Sequence, residues 1–141
     1  MADDFRLEAR SDPRLLRCIR SLVRGWLEVC ELERDATDEM VLAIDEACAN
    51  AIRHSYGGEC DRFVELTLRS DDREVEVRLC DQGEPCPPEN RERRSLEIPD
   101  PDRLEPGGLG VQLMHRAFDE VEFCPDRTTG NCVIMRRRRK Q

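Results

Sequence analysis

The chain has 141 residues, 38% charged and 38% hydrophobic, and its 31 acidic against 23 basic residues give a formal net charge of -8. That length suits one domain, 1–141, with one modest core, and the acidic balance repels a phosphate backbone, so a direct nucleic-acid binder is excluded. No window reaches the ~20 consecutive apolar residues of a membrane span, and Met1-Ala2-Asp3-Asp4 lacks the basic and apolar regions of a signal peptide, so a cytoplasmic protein with no membrane contact is expected.

Phe5, Leu7 and Ala9 alternate with charged residues, which predicts a first strand over about 4–10. Asp12-Pro13 is an N-cap and N1 pair, and Leu15, Ile19, Leu22, Trp26 and Val29 recur at helical spacing to about residue 31, with Arg17, Arg20 and Arg24 interspersed. Asp35 or Thr37 could cap a second helix carrying Met40, Ile44, Ala47 and Ala51 on one stripe and ending at Gly57-Gly58. Val64, Leu66 and Leu68, then Val75, Val77 and Leu79, predict two strands joined by a tight turn at Asp71-Asp72. From Glu84 to Pro106 periodicity vanishes and six of the eight prolines occur, so a long functional loop is expected. A third helix follows Gly107-Gly108-Leu109-Gly110, with Leu113, Met114, Ala117 and Phe118 apolar, and a hairpin of 121–123 with 132–135 closes the chain. The order βαα, ββ, α, ββ implies an α+β fold: a two-layer sandwich, its sheet mixed but mostly antiparallel, with helices on one face. The basic run 136–141 reads as a solvated tail.

Residue usage excludes several chemistries. The only lysine is Lys140, so neither a Walker A loop nor the strand lysine of a eukaryotic-type protein kinase can be built. Eight cysteines occur, at 18, 30, 48, 60, 80, 86, 124 and 132, but no Cys-x-x-Cys and no secretory segment accompanies them. Reduced, mostly core-filling thiols are expected.

Three constellations remain, each open to a plain reading. Glu46 and Asn50 lie one helical turn apart, with Arg53 and His54 continuing that polar side. They form either a solvated helix face or a pair serving a metal nucleotide, the amide oxygen as a hard Mg²⁺ donor and the carboxylate as a proton acceptor. Asp81-Gln82-Gly83 ends a strand, as ordinary turn residues or as a carboxylate for an exocyclic amino group beside a glycine that leaves room for the ring. Gly107 to Gly110 is a hinge or helix start, or a backbone cradle for phosphate at a helix N-terminus.

Taken in order, Glu-x-x-x-Asn, Asp-x-Gly and a glycine-rich helix entrance resemble the GHKL (histidine-kinase-like) ATPase superfamily. The stretches Asp45-Glu46-Ala47-Cys48-Ala49-Asn50-Ala51-Ile52-Arg53-His54-Ser55-Tyr56 and Pro106-Gly107-Gly108-Leu109-Gly110-Val111 resemble the N-box and G2 box of bacterial anti-sigma-factor serine/threonine kinases. The resemblance covers residues 4–136. It implies a sandwich that binds ATP and Mg²⁺, with Asn50 on the metal, Asp81 at the adenine amino group, Gly83 lining the base, and Gly108, Leu109 and Gly110 at the phosphates. Glu46 falls at the family's general base for a serine hydroxyl, and residues 84–106 at its lid. The implied activity is a serine protein kinase that sequesters a sigma factor and phosphorylates a STAS-type anti-sigma-factor antagonist, as a homodimer. The alternative is an ATP-binding partner-switching regulator that captures its partner without phosphorylation. The sequence departs from the pattern at Pro85, where G1 boxes elsewhere in the superfamily have a second glycine, and in a lid with arginines but no lysine. The arginines of the first helix offer a candidate partner surface.

Overall fold

Alternating side chains decide the sheet. In the computed structural model, which describes residues 5–57, 60–83, 108–126 and 130–140, the strands are β1 (Phe5–Arg10), β2 (Phe63–Ser70), β3 (Glu74–Asp81), β4 (Glu120–Cys124) and β5 (Asn131–Arg138). They form one sheet in the order β1-β2-β3-β5-β4, and every pairing is antiparallel. The expected lid 84–106, Gly107, Gly58, Cys86 and the side chain of His54 lie outside the described residues.

Helices α1 (Leu16–Val29), α2 (Arg34–Asn50) and α3 (Gly108–Ala117) share a core with Val64, Leu66 and Leu68 of β2, Val75, Val77 and Leu79 of β3, and Val133 and Met135 of β5. Period-2 alternation sends Glu65, Thr67, Glu76, Arg78, Ile134 and Arg136 to the opposite face, away from that core. Each fully buried Leu or Val contributes about 1.5–3 kcal/mol, so the core holds helices to one side of the sheet.

Several expectations change. On α1 the buried row is Ile19, Val23 and Leu27, while Leu22 and Val29 are 49% and 78% exposed. Leu15, Leu22 and Val29 repeat every seven residues and drift off the i, i+4 row that faces the core. The entrance to α1 is a 3₁₀ turn, Pro13–Leu15, capped by Asp12, whose carboxylate accepts from Arg14 N–H at 2.9 Å. α2 starts at Arg34 with Glu33 at the N-cap and no side-chain cap, so neither Asp35 nor Thr37 caps it. Asp71 closes the β2–β3 turn by accepting from the backbone N–H groups of Arg73 and Glu74, both at 2.8 Å.

The basic run is strand rather than tail. Arg136–Arg138 belong to β5, where Arg136 meets Glu76 at 2.9 Å and Glu120 at 3.5 Å on the open face, and Arg137 donates to the Ala117 carbonyl at 2.7 Å. Arg139 donates to the carbonyls of Cys30 and Asp71, both at 2.7 Å. The cysteines also depart from expectation: Cys80 and Cys132 form a disulfide, and Cys18 and Cys60 are exposed, leaving Cys30 and Cys48 as buried thiols. Cys80 faces Cys132 across β3 and β5 with a Cα–Cα distance of 4.2 Å, the close approach of a narrow antiparallel pair.

Candidate functional site

α2 is rich in alanine, and Ala36, Ala43, Ala47 and Ala49 are buried together with Met40, Ile44 and Cys48. Small side chains let neighbouring helices approach closely, and α2 packs against both α1 and α3. The Glu46–Asn50 side of α2 is half-buried, with Arg53 beyond it exposed. Gly110, in the first turn of α3, lies against it: a Cβ at position 110 would stand 2.9 Å from Asn50 Nδ2 and 3.4 Å from both Cβ and Oε2 of Glu46. A side chain there would have to push the end of the Asn50 amide aside. Gly110 is buried, Leu109 beside it is 47% exposed, and Gly108 begins the helix.

The Glu46 side chain remains one-third exposed, with Arg53 Nη2 3.9 Å from its Oε2. Neighbouring groups point elsewhere in role. Asp45 lies 3.5 Å from Arg20 of α1, and burial, reinforced by the charge of Asp45, pushes the Cys48 thiol up to about 12, so Cys48 is not a nucleophile at neutral pH. Arg24 likewise meets Asp38 of α2 at 2.8 Å, so two of the three α1 arginines hold the helix pair together.

After Asn50 the helix widens into a π turn, Ala51–Ser55, closed by Tyr56 N–H donating to the Ala51 carbonyl at 3.2 Å. Tyr56 then spans to the sheet. Its hydroxyl donates to the Phe63 carbonyl at 2.6 Å and accepts from Gln82 N–H at 2.6 Å, while the Arg62 guanidinium lies 4.9 Å from the ring centre. Burial raises the phenol above its usual range, so it stays protonated and able to donate.

Asp81 ends β3 on the helix-facing side and is buried. Its Oδ1 accepts from Gly83 N–H at 2.8 Å and from Asn131 Nδ2 at 3.1 Å, and Asn131 Nδ2 also donates to the Gly83 carbonyl at 2.6 Å. Asn131 thus fixes the Asp81-Gln82-Gly83 turn from the facing position of β5. Gly130 before it has φ +101°, and a Cβ there would lie 2.8 Å from the Asp81 carbonyl oxygen. Asn131 and the hydroxyl of Tyr56 are the two site-shaping groups that sequence reasoning did not assign. Tyr56 follows the Glu46–Asn50 helix directly and was open to assignment, whereas Asn131 becomes visible only through the β3–β5 register.

Glu46, Asn50 and Gly110 are therefore brought into contact, while Asp81 and Gly83 form a second cluster tied to the end of α2 through Tyr56 and Gln82. A carboxylate, a hard amide donor and a helix N-terminus at one junction suit a magnesium-bound polyphosphate, and a buried carboxylate at a strand end suits a base bearing an amino group.

Comparison with known proteins places the chain in a family. The chain is 29% identical over 127 residues to a serine-protein kinase RsbW of Bacillus licheniformis, covering 85% of this chain and 77% of the relative. It is 25% identical over 138 residues to the protein of the same name in Listeria innocua, covering 96% and 87%. Among solved structures it is similar to the RsbU and RsbW domains of a Mycobacterium tuberculosis protein, with a TM-score of 0.62 at 18% identity, and it covers 95% of this chain but 32% of that longer one. Residues 9–137 match the histidine kinase-like ATPase domain, and the chain belongs to that family.

Proposed function

We propose that the chain is an ATP-dependent protein serine kinase that sequesters a sigma factor and phosphorylates a STAS-type antagonist of that sequestration, acting as a homodimer. The observation that carries this reading is the contact of Gly110 with both Glu46 and Asn50 at the junction of α3 and α2. A module that only holds nucleotide needs no carboxylate beside its amide donor. The relatives named as serine-protein kinases support the same activity.

In this reading the adenine amino group donates to the Asp81 carboxylate, and Gly83 borders the ring. Backbone N–H groups of Gly108, Leu109 and Gly110 face the phosphates, where the positive end of α3 favours anions. Asn50 would hold Mg²⁺ through its side-chain oxygen, and the ion, when bound, would offset triphosphate charge. Glu46 accepts the proton of the incoming serine hydroxyl as that oxygen bonds to the γ-phosphorus and ADP leaves with the electrons of the broken P–O bond.

The test incubates the full chain with labelled ATP and the small single-domain protein encoded beside its gene. Label on a serine of that protein supports the kinase. ATP binding and sigma-factor capture without transfer give the partner-switching alternative, and phosphate release with no protein acceptor gives a stand-alone ATPase.

A further inference from the structure

We propose that Cys80, Cys132 and Cys124 form a thiol–disulfide exchange site on the open face of the sheet, in which Cys124 displaces Cys80 from Cys132. Three sulfur-bearing positions lie in one row across three strands: Cys80 pairs with Cys132 between β3 and β5, and Cys124 pairs with the same Cys132 between β4 and β5. Registered partners project to the same face, so all three side chains leave the sheet on the side away from the helices.

The row suits exchange because Cys132 is central. It is already bonded to Cys80, and Cys124 is a free, partly exposed thiol. The Cys80–Cys132 pair is the narrow kind, so the backbone of Cys132 turns its hydrogen-bonding groups toward β4. A pair of that wide kind has Cα atoms about 5.5 Å apart, within the roughly 4.4–6.8 Å that a disulfide spans. Among the described residues no group of three or more His, Cys, Asp or Glu side chains is arranged to hold a metal ion.

The step balances without an outside oxidant. Cys124 Sγ, as thiolate, bonds to Cys132 Sγ; the Cys80–Cys132 bond breaks, and its electron pair leaves on Cys80 Sγ, which takes up the proton that Cys124 released. One disulfide and one thiol remain, with the link moved from β3–β5 to β4–β5. Cys80 and Cys132 immediately adjoin Asp81 and Asn131, so the transfer removes a covalent tie one register position from that pair. Burial raises the Cys124 thiol, Glu122 raises it further by charge and hydrogen bonding, and Arg78 and Arg136 oppose both. Exchange is accordingly slow at neutral pH, and its rate should climb about tenfold per pH unit until the thiol ionises.

The experiment uses the full chain prepared without reductant and held free of oxygen at neutral and at mildly alkaline pH. Samples are acid-quenched, free thiols are capped with a maleimide, and linked peptides are mapped by mass spectrometry. We expect Cys80–Cys132 and Cys124–Cys132 links together, the second accompanied by capped Cys80 and reached faster at the higher pH, and only the first link in Cys124→Ser. A wild-type map showing Cys80–Cys132 alone at all times and both pH values overturns the proposal. So does a preparation with no Cys80–Cys132 link at the outset, or a Cys124–Cys132 link found only in covalent dimers. None of these readouts depends on nucleotide, so the outcome is independent of the kinase reading.

Discussion

Gly110 approaches Asn50 so closely that a single added Cβ would stand 2.9 Å from the amide nitrogen. Gly110→Ala therefore has two opposed effects. Alanine favours a helix over glycine by about 0.5–1 kcal/mol, whereas the new methyl must displace Asn50 or the start of α3. The unfolding midpoint should thus move little while ATP affinity drops by on the order of tenfold, a change of about 1.4 kcal/mol. Calorimetry that finds wild-type ATP affinity in this variant would detach Asn50 from the nucleotide.

Glu46→Gln keeps the shape of the side chain and removes its basicity. ATP affinity should stay within a few-fold of wild type, and phosphoryl transfer to the antagonist serine should slow by roughly 10²–10⁴. Transfer at the wild-type rate, measured on the identified acceptor, would leave Glu46 without a role as base. Because Arg53 lies 3.9 Å from the Glu46 carboxylate, Arg53→Gln makes a companion variant, expected to change rate less than Glu46→Gln does.

Asp81→Asn replaces an acceptor by a group that also donates, opposite the donating amide of Asn131 and the proposed adenine amino group. Loss of such a charged acceptor costs on the order of 1–3 kcal/mol. Wild type should prefer ATP over inosine triphosphate, which lacks the exocyclic amino group, and the variant should lose that preference. Equal binding of the two nucleotides by wild type would remove adenine from Asp81.

The alternation of Val64, Leu66 and Leu68 and of Val75, Val77 and Leu79 made β2 and β3 readable, because burying one face of a strand forces period 2. The face of α1 was harder to read. Leucines and valines lie on two overlapping stripes there, and only the position of the sheet selects Ile19, Val23 and Leu27. Glu46, Asn50 and Gly110 stood out as spaced residues, yet the contact among them depends on how α3 crosses α2. Asn131 and the Cys80–Cys132 bridge were hidden for one reason: each faces its partner about fifty residues away through the β3–β5 register, which local pattern does not encode.

The disulfide should contribute to stability in a measurable way. It joins residues 52 apart in sequence, and the chain-entropy model gives about 4 kcal/mol for a loop of that size, with typical measured values of about 2–4 kcal/mol. Urea unfolding of Cys132→Ser, which removes the sulfur common to both links, should therefore show a lower midpoint than wild type, and a reductant should lower the wild-type midpoint while leaving Cys132→Ser unmoved. Identical wild-type curves with and without reductant would mean that the bridge does not constrain the unfolded chain. Cys124→Ser is the matching control, since it leaves the Cys80–Cys132 link in place.

Tyr56 supplies the last test, because its hydroxyl is the described hydrogen-bonded bridge from the end of α2 to the Asp81–Gly83 turn. Tyr56→Phe keeps the buried ring and its stacking with Arg62 but removes an acceptor for Gln82 N–H and a donor to the Phe63 carbonyl, each at 2.6 Å. Gln82 is exposed, so water can replace its acceptor, and the stability loss should fall near the lower end of the roughly 1–3 kcal/mol expected for a broken buried bond. The larger effect should be on binding. Gln82 sits between Asp81 and Gly83, so loosening it blurs the proposed adenine pocket while Glu46, Asn50 and Gly110 keep their contact. The KM for ATP should rise several-fold with kcat nearly constant, the reverse of the pattern expected for Glu46→Gln. A fall in kcat at unchanged KM would show that Tyr56 acts on the chemical step and that the base-binding turn is held without it.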